Sequence, residues 1–600
     1  MVLPQADATT APLARDVSRS DGDTWLGHPR QLARLFTVEM WERFGFYGLR
    51  ALLVLYLTQH FLLSDHEANG VVGGYLSLAY LTPVVGGWVA DRYLGSKRSV
   101  KLGAILMSLG YLVLCFGGPA ATPYAEYDGQ RHVVTMASAG NNFDPGTRQY
   151  VDAGGGRRLI ISGNADGSVD LKAIDGSVVR HFGKGGFSAG GERSRGFVLV
   201  MLLALSIVAV GMGLFKPNIS TVVGALYPAG DQRRDAGFTI FYWGINLGSV
   251  GSQTLCPLFV GWFGWWAGFL IVAVGMMIAY LLMRFDGGRL AGYGEPPPQE
   301  KDRFGYVLLG AAVAVPIIMA VLWNVMQTPE AAPGAGFVGY LAALPVLGKV
   351  LMAVFLAAVI GIPVWSFRAG GRDEAQMMLA AIILVVFNVT FWTLFEQAAS
   401  SLTLFADRST DLTLFGVIHM SAPQTQNFNP ITIVVFAPIM SWLWTVLARF
   451  GREPSIPVKF GLALVIVGLG FVVLAASGHF AGADFKVGLW WLALTYFLHS
   501  IAELLISPVG LSMITKLAMA RVVGMMMGVW FLSISVAEYL AGAIAQGASV
   551  QTVGGQVTNA ELALHTYLAS FQTGGMWTIG AGVLLLVLTP LLKRLMHGVQ

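Results

Sequence analysis

The stretch Glu39-Met-Trp-Glu-Arg-Phe-Gly-Phe-Tyr-Gly-Leu-Arg50 places four charged residues at the start of a segment that is otherwise apolar enough to cross a bilayer. At about 100° per residue, a helix would collect most of its polar and aromatic residues on one face. These residues are Glu39, Arg43, Phe46, Tyr47 and Arg50, with Glu42 at the margin. A charge at the centre of a lipid-exposed helix costs about 2.5–3.5 kcal/mol on insertion scales, so this face must point into a bundle or an aqueous cavity. The spacing from Glu39 to Arg43 is equally compatible with a purely structural ion pair.

The composition indicates a membrane protein. Of the 600 residues, 55% are hydrophobic and only 12% are charged, whereas soluble proteins average about a quarter charged residues. The basic residues behind the formal charge of +4 are spread through loops, which argues against a nucleic-acid partner. Cys115 and Cys256 lie in apolar runs without metal-ligand spacing, so we expect neither a disulfide framework nor a metal site.

Fourteen apolar stretches are long enough to cross about 30 Å of hydrocarbon, at about 20 residues each. They lie near residues 31–62, 68–93, 98–118, 196–226, 234–260, 264–284, 304–326, 336–367, 376–405, 427–449, 457–478, 487–517, 522–548 and 564–595. The pattern predicts an all-α polytopic membrane protein with two six-helix bundles. The predicted domains are residues 28–118 with 196–285, a linker with two additional helices at 286–372, and residues 373–600.

Charge in the loops predicts the orientation. Basic residues recur in alternate loops, as in Arg92, Lys97 and Arg98, and short cytoplasmic loops carry such an excess. We therefore expect both termini in the cytoplasm. Residues 1–27 lack the apolar core of a signal peptide and are predicted to be a disordered cytoplasmic tail.

The polar, Gly-rich stretch 119–195 cannot enter lipid. Residues 157–162, 168–174 and 177–182 alternate as strands do, and the turns between them contain Asp-Gly pairs. We expect a small β-rich insertion on the side opposite the basic loops, in the periplasm. A mobile, decorative insertion is favoured over a ligand-capturing module.

Three further apolar stretches carry isolated charges. Lys216 precedes Pro217 in the fourth stretch, and Glu396 and Glu503 lie in the second half. A buried lysine must find an anion or lose its proton. Opposite charges divided between two halves predict a gate or a pocket with two poles.

Several motifs resemble a known family. The loop from Gly87 to Arg98, with Asp91 at its centre, resembles the cytoplasmic signature of the major facilitator superfamily. Glu39, Glu42, Arg43, Phe44 and Tyr47 resemble the first-helix pattern of the proton-dependent oligopeptide transporters, and Phe241-Tyr-Trp-Gly-Ile-Asn-Leu-Gly248 resembles their fifth-helix pattern. The likeness covers nearly all twelve core helices, and the two extra helices resemble those of bacterial members. Phe46 departs from the family's tyrosine pair, and Met519 replaces its usual proline.

This resemblance implies a major facilitator fold and a function. The expected activity is symport of H+ with di- or tripeptides across the bacterial inner membrane by alternating access. No cofactor beyond the coupling proton, no obligatory protein partner and no enzymatic activity are expected.

The resemblance also implies roles for individual residues. Proton coupling is assigned to Glu39, Glu42, Arg43 and Lys216. The peptide carboxylate is assigned to Arg43, Arg50, Lys216, Tyr47 and Tyr80, and the amino end to Glu503, Asn246 and Asn429. Side-chain pockets are assigned to Trp392, Trp530 and Phe531, although ordinary helix packing would explain each of these aromatics equally well. Gating is predicted from the residues themselves: opposite charges in the two halves make Arg50 with Glu396 the candidate gate on the periplasmic side, and the glycines and cations around Asp91 suit a latch that reaches a neighbouring helix end in one conformation.

Other functions leave different signatures. The nearest alternative is a related proton-coupled carrier of another small anion or metabolite, such as nitrate or a conjugate; Glu503 and Asn429 favour a substrate that carries an ammonium group. A membrane enzyme or redox subunit would need paired haem ligands or a nucleophile with its base, and the scattered histidines provide neither. A channel would show no counterflow.

Overall fold

The computed structural model describes residues 24–137, 148–152, 157–228, 231–297, 303–329 and 336–599, and most of them are helical. The long helices in this part of the chain are α1 (Gln31–Leu55), α2 (Asp65–Val89), α3 (Ser96–Leu114), α4 (Arg195–Ala225), α5 (Arg234–Phe263), α6 (Trp265–Arg284), α7 (Phe304–Gln327), α9 (Val346–Ala369), α10 (Arg372–Phe395), α12 (Phe428–Arg449), α13 (Ile456–Ala476), α14 (Leu489–Leu517), α15 (Val523–Gly547) and α16 (Ala560–Leu595). Two shorter helices are α8 (Gly336–Ala343) and α11 (Ser401–Ser409).

Eleven helical segments in the described residues are long and apolar enough to cross a membrane. Helices α1, α3 and α5 fall outside this set. Helix α1 falls outside because it contains several charged residues, and Glu39, Glu42, Arg43 and Arg50 among them are buried within the protein. The chain is therefore a multi-pass helical membrane protein.

The first half of the protein, α1 to α6, packs mainly within itself, and so does the second half, α10 to α16. In the first half α1 packs against α5 and α6, and α3 packs against α4 and α6. In the second half α13 packs against α14 and α16, and α10 packs against α15. The halves meet where α2 lies along α15. Here Gly73 and Gly542 come so close that a Cβ on Gly73 would lie 2.8 Å from the Gly542 Cα, which accounts for glycine at both positions.

Two predicted spans are wrong as continuous helices. The stretch predicted at 336–367 divides into α8 and α9 at Pro345, which has no N–H to continue a helix, and the Asn324 side chain accepts a hydrogen bond from Val346 N at 3.0 Å. The stretch predicted at 376–405 breaks at Ser400, whose φ of −133° and ψ of −99° are not helical. A 3₁₀ turn, Glu396–Ala399, precedes this break and carries Glu396 toward the first half.

A seven-stranded antiparallel sheet lies between α3 and α4, with strand order β8-β7-β6-β5-β4-β3-β9. Its strands are β3 (Thr122–Tyr127), β4 (Gln130–Ala137), β5 (Arg148–Asp152), β6 (Arg158–Gly163), β7 (Val169–Lys172), β8 (Val178–Phe182) and β9 (Ser188–Glu192). Short strand pairs elsewhere are β1 (Thr24–Trp25) with β2 (His28–Pro29), β10 (Thr410–Asp411) with β13 (Val487–Gly488), β11 (Thr413–Leu414) with β12 (Ile418–His419), and β14 (Thr552–Val553) with β15 (Gln556–Val557).

The turns of the sheet follow the Asp-Gly pattern. Gly167 and Gly176 have φ of +83° and +86°, and each follows an aspartate. The Ser168 hydroxyl and backbone N–H donate to the Asp166 carboxylate at 2.6 and 2.9 Å, which lowers the pKa of Asp166. Strands β6, β7 and β8 lie within one or two residues of the predicted positions.

The prediction of a disordered tail over residues 1–27 is wrong for its last residues. Trp25 belongs to β1 and packs its ring 5.8 Å from that of Phe36. Arg233 donates a hydrogen bond to the Gly27 carbonyl, so these contacts order the chain just before α1. Residues 1–23 lie outside the described residues.

Candidate functional site

A buried cluster of charges lies on α1. The Arg43 guanidinium donates two hydrogen bonds to the Glu42 carboxylate, one from Nε and one from Nη2, the latter of 2.7 Å. Its Nε also lies 3.3 Å from a carboxylate oxygen of Glu39. All three side chains are 6% exposed or less. The Arg43 guanidinium also lies 5.1 Å from the centroid of the Phe46 ring. The two carboxylates therefore share one cation in a site shielded from solvent.

Lys216 brings a second cation to this region from α4. Its Nζ lies 3.8 Å from the centroid of the Tyr80 ring and 5.7 Å from that of Phe46. It interacts electrostatically with Arg43, Glu42 and Glu39, although within the described residues it forms no ion pair shorter than 4 Å. Lys216 is thus held by aromatic faces, next to the acids but not bonded to them.

Arg50 and Glu396 join the two halves. Their buried side chains form a salt bridge between α1 and the 3₁₀ turn that follows α10. Tyr47 lies beside this pair, with the Arg50 guanidinium 5.9 Å from its ring centroid. Arg50 also lines a small cavity together with Asn429, which is hydrogen-bonded to Glu503. The charges of the two halves therefore border the same central region.

The opposite wall is formed by α12 and α14. The Asn429 amide donates hydrogen bonds of 3.0 Å to Glu503 Oε2 and to Ser500 Oγ. This arrangement fixes the orientation of the Glu503 carboxylate. Asn246, which the sequence groups with these residues, lies on α5, and its amide donates to the Tyr242 carbonyl of its own helix at 3.1 Å.

The three aromatic residues predicted for side-chain pockets differ in their surroundings. Trp392 packs against Phe391 and Phe395, and its buried Nε1 has no hydrogen-bond partner in the described part of the chain. An acceptor on a ligand would satisfy that N–H. Trp530 is only 4% exposed and fills the space beside Gly510, where an added Cβ would lie 2.2 Å from its ring. Phe531 is half-buried.

Asp91 does not form the predicted latch in this structure. It lies exposed in the helical turn Ala90–Leu94, and its side chain forms no ion pair with any described residue. The neighbouring Lys97 is instead held by the linker after α6, with Nζ 3.2 Å from Glu295 and 3.5 Å from Asp286. The linker backbone occupies the space beside Gly95, where a Cβ would lie 2.5 Å from it.

Sequence reasoning missed two charged groups. Glu538 on α15 is 1% exposed, neither of its carboxylate oxygens has a hydrogen-bond partner among the described residues, and it interacts electrostatically with Arg50 and Lys216. The signal was available, because Glu538 is a lone acid in an apolar stretch, as Glu396 and Glu503 are. Arg408 forms hydrogen bonds of 2.7 and 2.8 Å with both oxygens of Asp65, an interhalf pair that spacing could not indicate.

Among the described residues, no group of three or more His, Cys, Asp or Glu side chains is positioned to hold a metal ion.

Comparisons with known proteins find a matching family, similar proteins and similar solved structures. The model of the POT family matches residues 97–560. An uncharacterized transporter of Bacillus subtilis, YclF, is 30% identical over 588 residues, covering 96% of both chains. A di-/tripeptide transporter of Lactococcus lactis is 29% identical over 597 residues, covering 96% of this chain and 98% of the relative. The crystal structure of a peptide transporter in complex with sulfate has a TM-score of 0.70 at 28% identity, covering 95% of this chain and 96% of that chain.

Proposed function

The chain belongs to the POT family, and we propose that it is a proton-coupled symporter that imports di- and tripeptides by alternating access. One observation carries the proposal: Arg50 of the first half lines the same cavity as Asn429, which holds the Glu503 carboxylate of the second half. A short peptide is a zwitterion with a carboxylate at one end and an ammonium group at the other. A site with these two poles selects such a substrate and fixes its orientation.

Each pole has suitable chemistry. Arg43 can bind a carboxylate with two parallel hydrogen bonds, and Lys216 acts as a point charge beside it. Tyr47, Tyr80 and Arg50 complete this wall. The Glu503 carboxylate, oriented by Asn429, accepts the ammonium group, and Asn246 contributes to the same end. Trp392, Trp530 and Phe531 form the walls for substrate side chains.

Proton coupling follows from competition for Arg43. In the empty site Glu39 and Glu42 share the guanidinium of Arg43, so the two carboxylates have one counter-charge between them. When a peptide carboxylate takes the guanidinium, the buried acids lose their counter-charge and bind protons. Peptide and proton then bind with positive linkage. Inward movement of one positive charge gains about 2.3 kcal/mol per 100 mV, which drives accumulation.

The gate is proposed at the Arg50–Glu396 pair. This salt bridge joins the halves and must break when they rock apart around the central site. Asp91 is exposed in the present conformation, so its latch contact would form only in another state of the cycle.

The proposed topology has fourteen spans in the inner membrane, with both termini in the cytoplasm. The charged α1, α3 and α5 count as spans because each is 19 residues or longer and packs within the first bundle. The seven-stranded sheet then lies in the periplasm. The proposed domain bounds remain residues 28–118 with 196–285, 119–195, 286–372 and 373–600.

Uptake of labelled dialanine into proteoliposomes tests the function. With an imposed inward proton gradient we expect accumulation above the external concentration, and a protonophore should abolish it. Without a gradient, preloaded dialanine should still exchange by counterflow. Absence of both uptake and counterflow from correctly folded protein would overturn the proposal.

Substrate competition separates this function from transport of another small anion or metabolite. Unlabelled dipeptides should inhibit dialanine uptake, whereas nitrate and organic conjugates without an ammonium group should not. Glu503 favours the peptide, because an acid at the site would repel an anion that has no positive end.

A further inference from the structure

A large groove lies outside the central site, between the first bundle and α7. It has a volume of about 1120 Å³. Its walls come from the end of α2 and the following turn (82–93), from α4 (210–214) and from α7 (303–318). None of the residues assigned to peptide or proton binding lines it. The groove therefore serves neither pole of the substrate site.

The groove exists because α7 diverges from the bundle. Its buried side chains, Ile318, Leu322, Val325 and Met326, all lie in its second half. The N-terminal half of α7 is not covered by other helices: Tyr306 is 76% exposed and Leu309 is 63% exposed. Small residues, Gly310, Ala311 and Ala314, line the groove on the α7 side. From Tyr306 to Ile318 the helix rises about 18 Å, close to the depth of one bilayer leaflet.

The chemistry of the groove changes along its length. Its deep part is lined by Val210, Leu214 and Ile318, so water would gain few hydrogen bonds there. Its mouth carries Arg92 and Arg303, whose guanidinium groups lie 6.0 Å from the Trp88 ring centroid and 5.5 Å from the Tyr93 ring centroid. Aromatic residues next to arginine are typical of the level at which lipid head groups lie.

We propose that this groove is a binding site for an anionic phospholipid, with its phosphate and head group at Arg92 and Arg303 and an acyl chain along Gly310, Ala311 and Ala314. Charge complementarity selects the head group, and the apolar depth of the groove selects the chain. A peptide or a soluble anion fits only one of these two parts. The bound lipid would fill the space between α7 and the bundle and so support the position of α7.

Lipid retention by the full-length protein tests the proposal. The protein is purified in detergent, mixed with equal amounts of phosphatidylglycerol and phosphatidylcholine, and analysed by native mass spectrometry. We expect phosphatidylglycerol to be retained at least about tenfold over phosphatidylcholine. Equal retention of the two lipids would overturn the assignment of an anionic head group.

Two variants address the two parts of the site. Arg92→Gln combined with Arg303→Gln should reduce the preference for phosphatidylglycerol about tenfold, whereas Arg449→Gln, at the end of α12, should not. Gly310→Trp should displace the lipid by filling the groove, and it should fold because an added Cβ there meets nothing within 4 Å. Gly361→Trp on α9 is the matched control, because its Cβ position is equally open.

The outcomes separate the groove from general lipid contact. If the arginine variant weakens phosphatidylglycerol retention but Gly310→Trp leaves it unchanged, the lipid binds elsewhere and the proposal is wrong. Unchanged retention in both variants overturns it as well. Dialanine counterflow measured on the same samples shows that each variant is folded, and it does so independently of lipid retention.

Discussion

Arg43 is the residue on which the proposed coupling depends. It is shared by Glu39 and Glu42 within the described structure, and all three side chains are shielded from solvent. Removing one partner of a buried charge pair leaves the other without compensation, which explains why such a cluster responds strongly to an incoming carboxylate. A coupling cluster and a purely structural ion-pair cluster respond differently when one of the acids is neutralised.

Neutralising the acids of this cluster should uncouple transport. In proteoliposomes we expect Glu39→Gln and Glu42→Gln to lose proton-driven accumulation of dialanine while retaining counterflow, because counterflow needs no net proton movement. Glu561→Gln, at an exposed position in α16, is the control and should behave as the unaltered protein. If both acid variants still accumulate peptide against its gradient, the coupling scheme is wrong. If both lose counterflow as well, the cluster is structural.

Glu503 should recognise the peptide amino end. We expect Glu503→Gln to raise the KM for dialanine by about tenfold or more, because a hydrogen bond to a charged group is worth about 1.5–3 kcal/mol. Binding of N-acetyl-dialanine, which has no ammonium group, should change much less, as measured by competition. Equal weakening of both peptides would show that Glu503 does not contact the amino end.

Sequence reasoning could locate charges in apolar stretches but could not determine their partners. The one interhalf partnership it proposed, Arg50 with Glu396, came from charges of opposite sign in apolar stretches of the two halves. It missed Glu538, although the same rule of a lone buried acid applies to it. The Asp65–Arg408 pair joins residues 343 positions apart, and no periodicity links them.

At the scale of elements, the sheet is more firmly attached than a decorative insertion would be. The Gln149 amide lies within 2.9 to 3.3 Å of the carbonyls of Val553, Gln556 and Val557, which belong to the hairpin β14–β15 between α15 and α16. Arg193 donates to Leu62 O and to Glu67 of the first half. The sheet therefore contacts both halves at the same end of the bundle.

Loss of this docking should loosen the hairpin rather than unfold the protein. We expect Gln149→Ala to increase hydrogen–deuterium exchange of residues 549–558, because each lost hydrogen bond costs about 1 kcal/mol and these bonds tie the hairpin to the sheet. Gln130→Ala, at an exposed position on β4, should leave this exchange unchanged. Equal exchange in the two variants would show that the sheet does not hold the hairpin.

Periodicity and turn chemistry predicted most elements but not their interruptions. Strands β6 to β8 were predictable because Asp-Gly pairs set their turns. The break between α8 and α9 was indicated by Pro345, yet the apolar composition on both sides predicted one continuous span. The break at Ser400 has no proline. It depends on tertiary contacts such as the hydrogen bond from the Gln397 amide to Ala541 O of α15, which a local pattern cannot show.

At the scale of the whole molecule, the contacts between the halves concentrate toward the sheet end. The Asp65–Arg408 pair, the hydrogen bond from Asn69 to Ala545 O and that from Gln546 to His66 O all lie there. Toward the other end Val84 is 42% exposed and Met525 is 45% exposed. Within the proposed topology this is a conformation closed to the periplasm and open to the cytoplasm.

A cross-link between α2 and α15 should therefore trap the transporter. The hydroxyl oxygens of Ser77 and Ser535 lie 2.9 Å apart, which suits a disulfide after replacement of both serines by cysteine. With Cys115→Ser and Cys256→Ser as background, oxidation of the Ser77→Cys, Ser535→Cys protein should stop dialanine counterflow, and reduction should restore it.

The matched control joins two helices of the same half. The Asn388 amide lies 3.0 Å from Ser533 Oγ, so Asn388→Cys with Ser533→Cys links α10 to α15 without linking the halves. Because alternating access requires the halves to separate at α2 and α15, only the interhalf link should block exchange. Full counterflow with a complete interhalf disulfide would mean that these helices stay together throughout the cycle, and opening would then have to occur within a half.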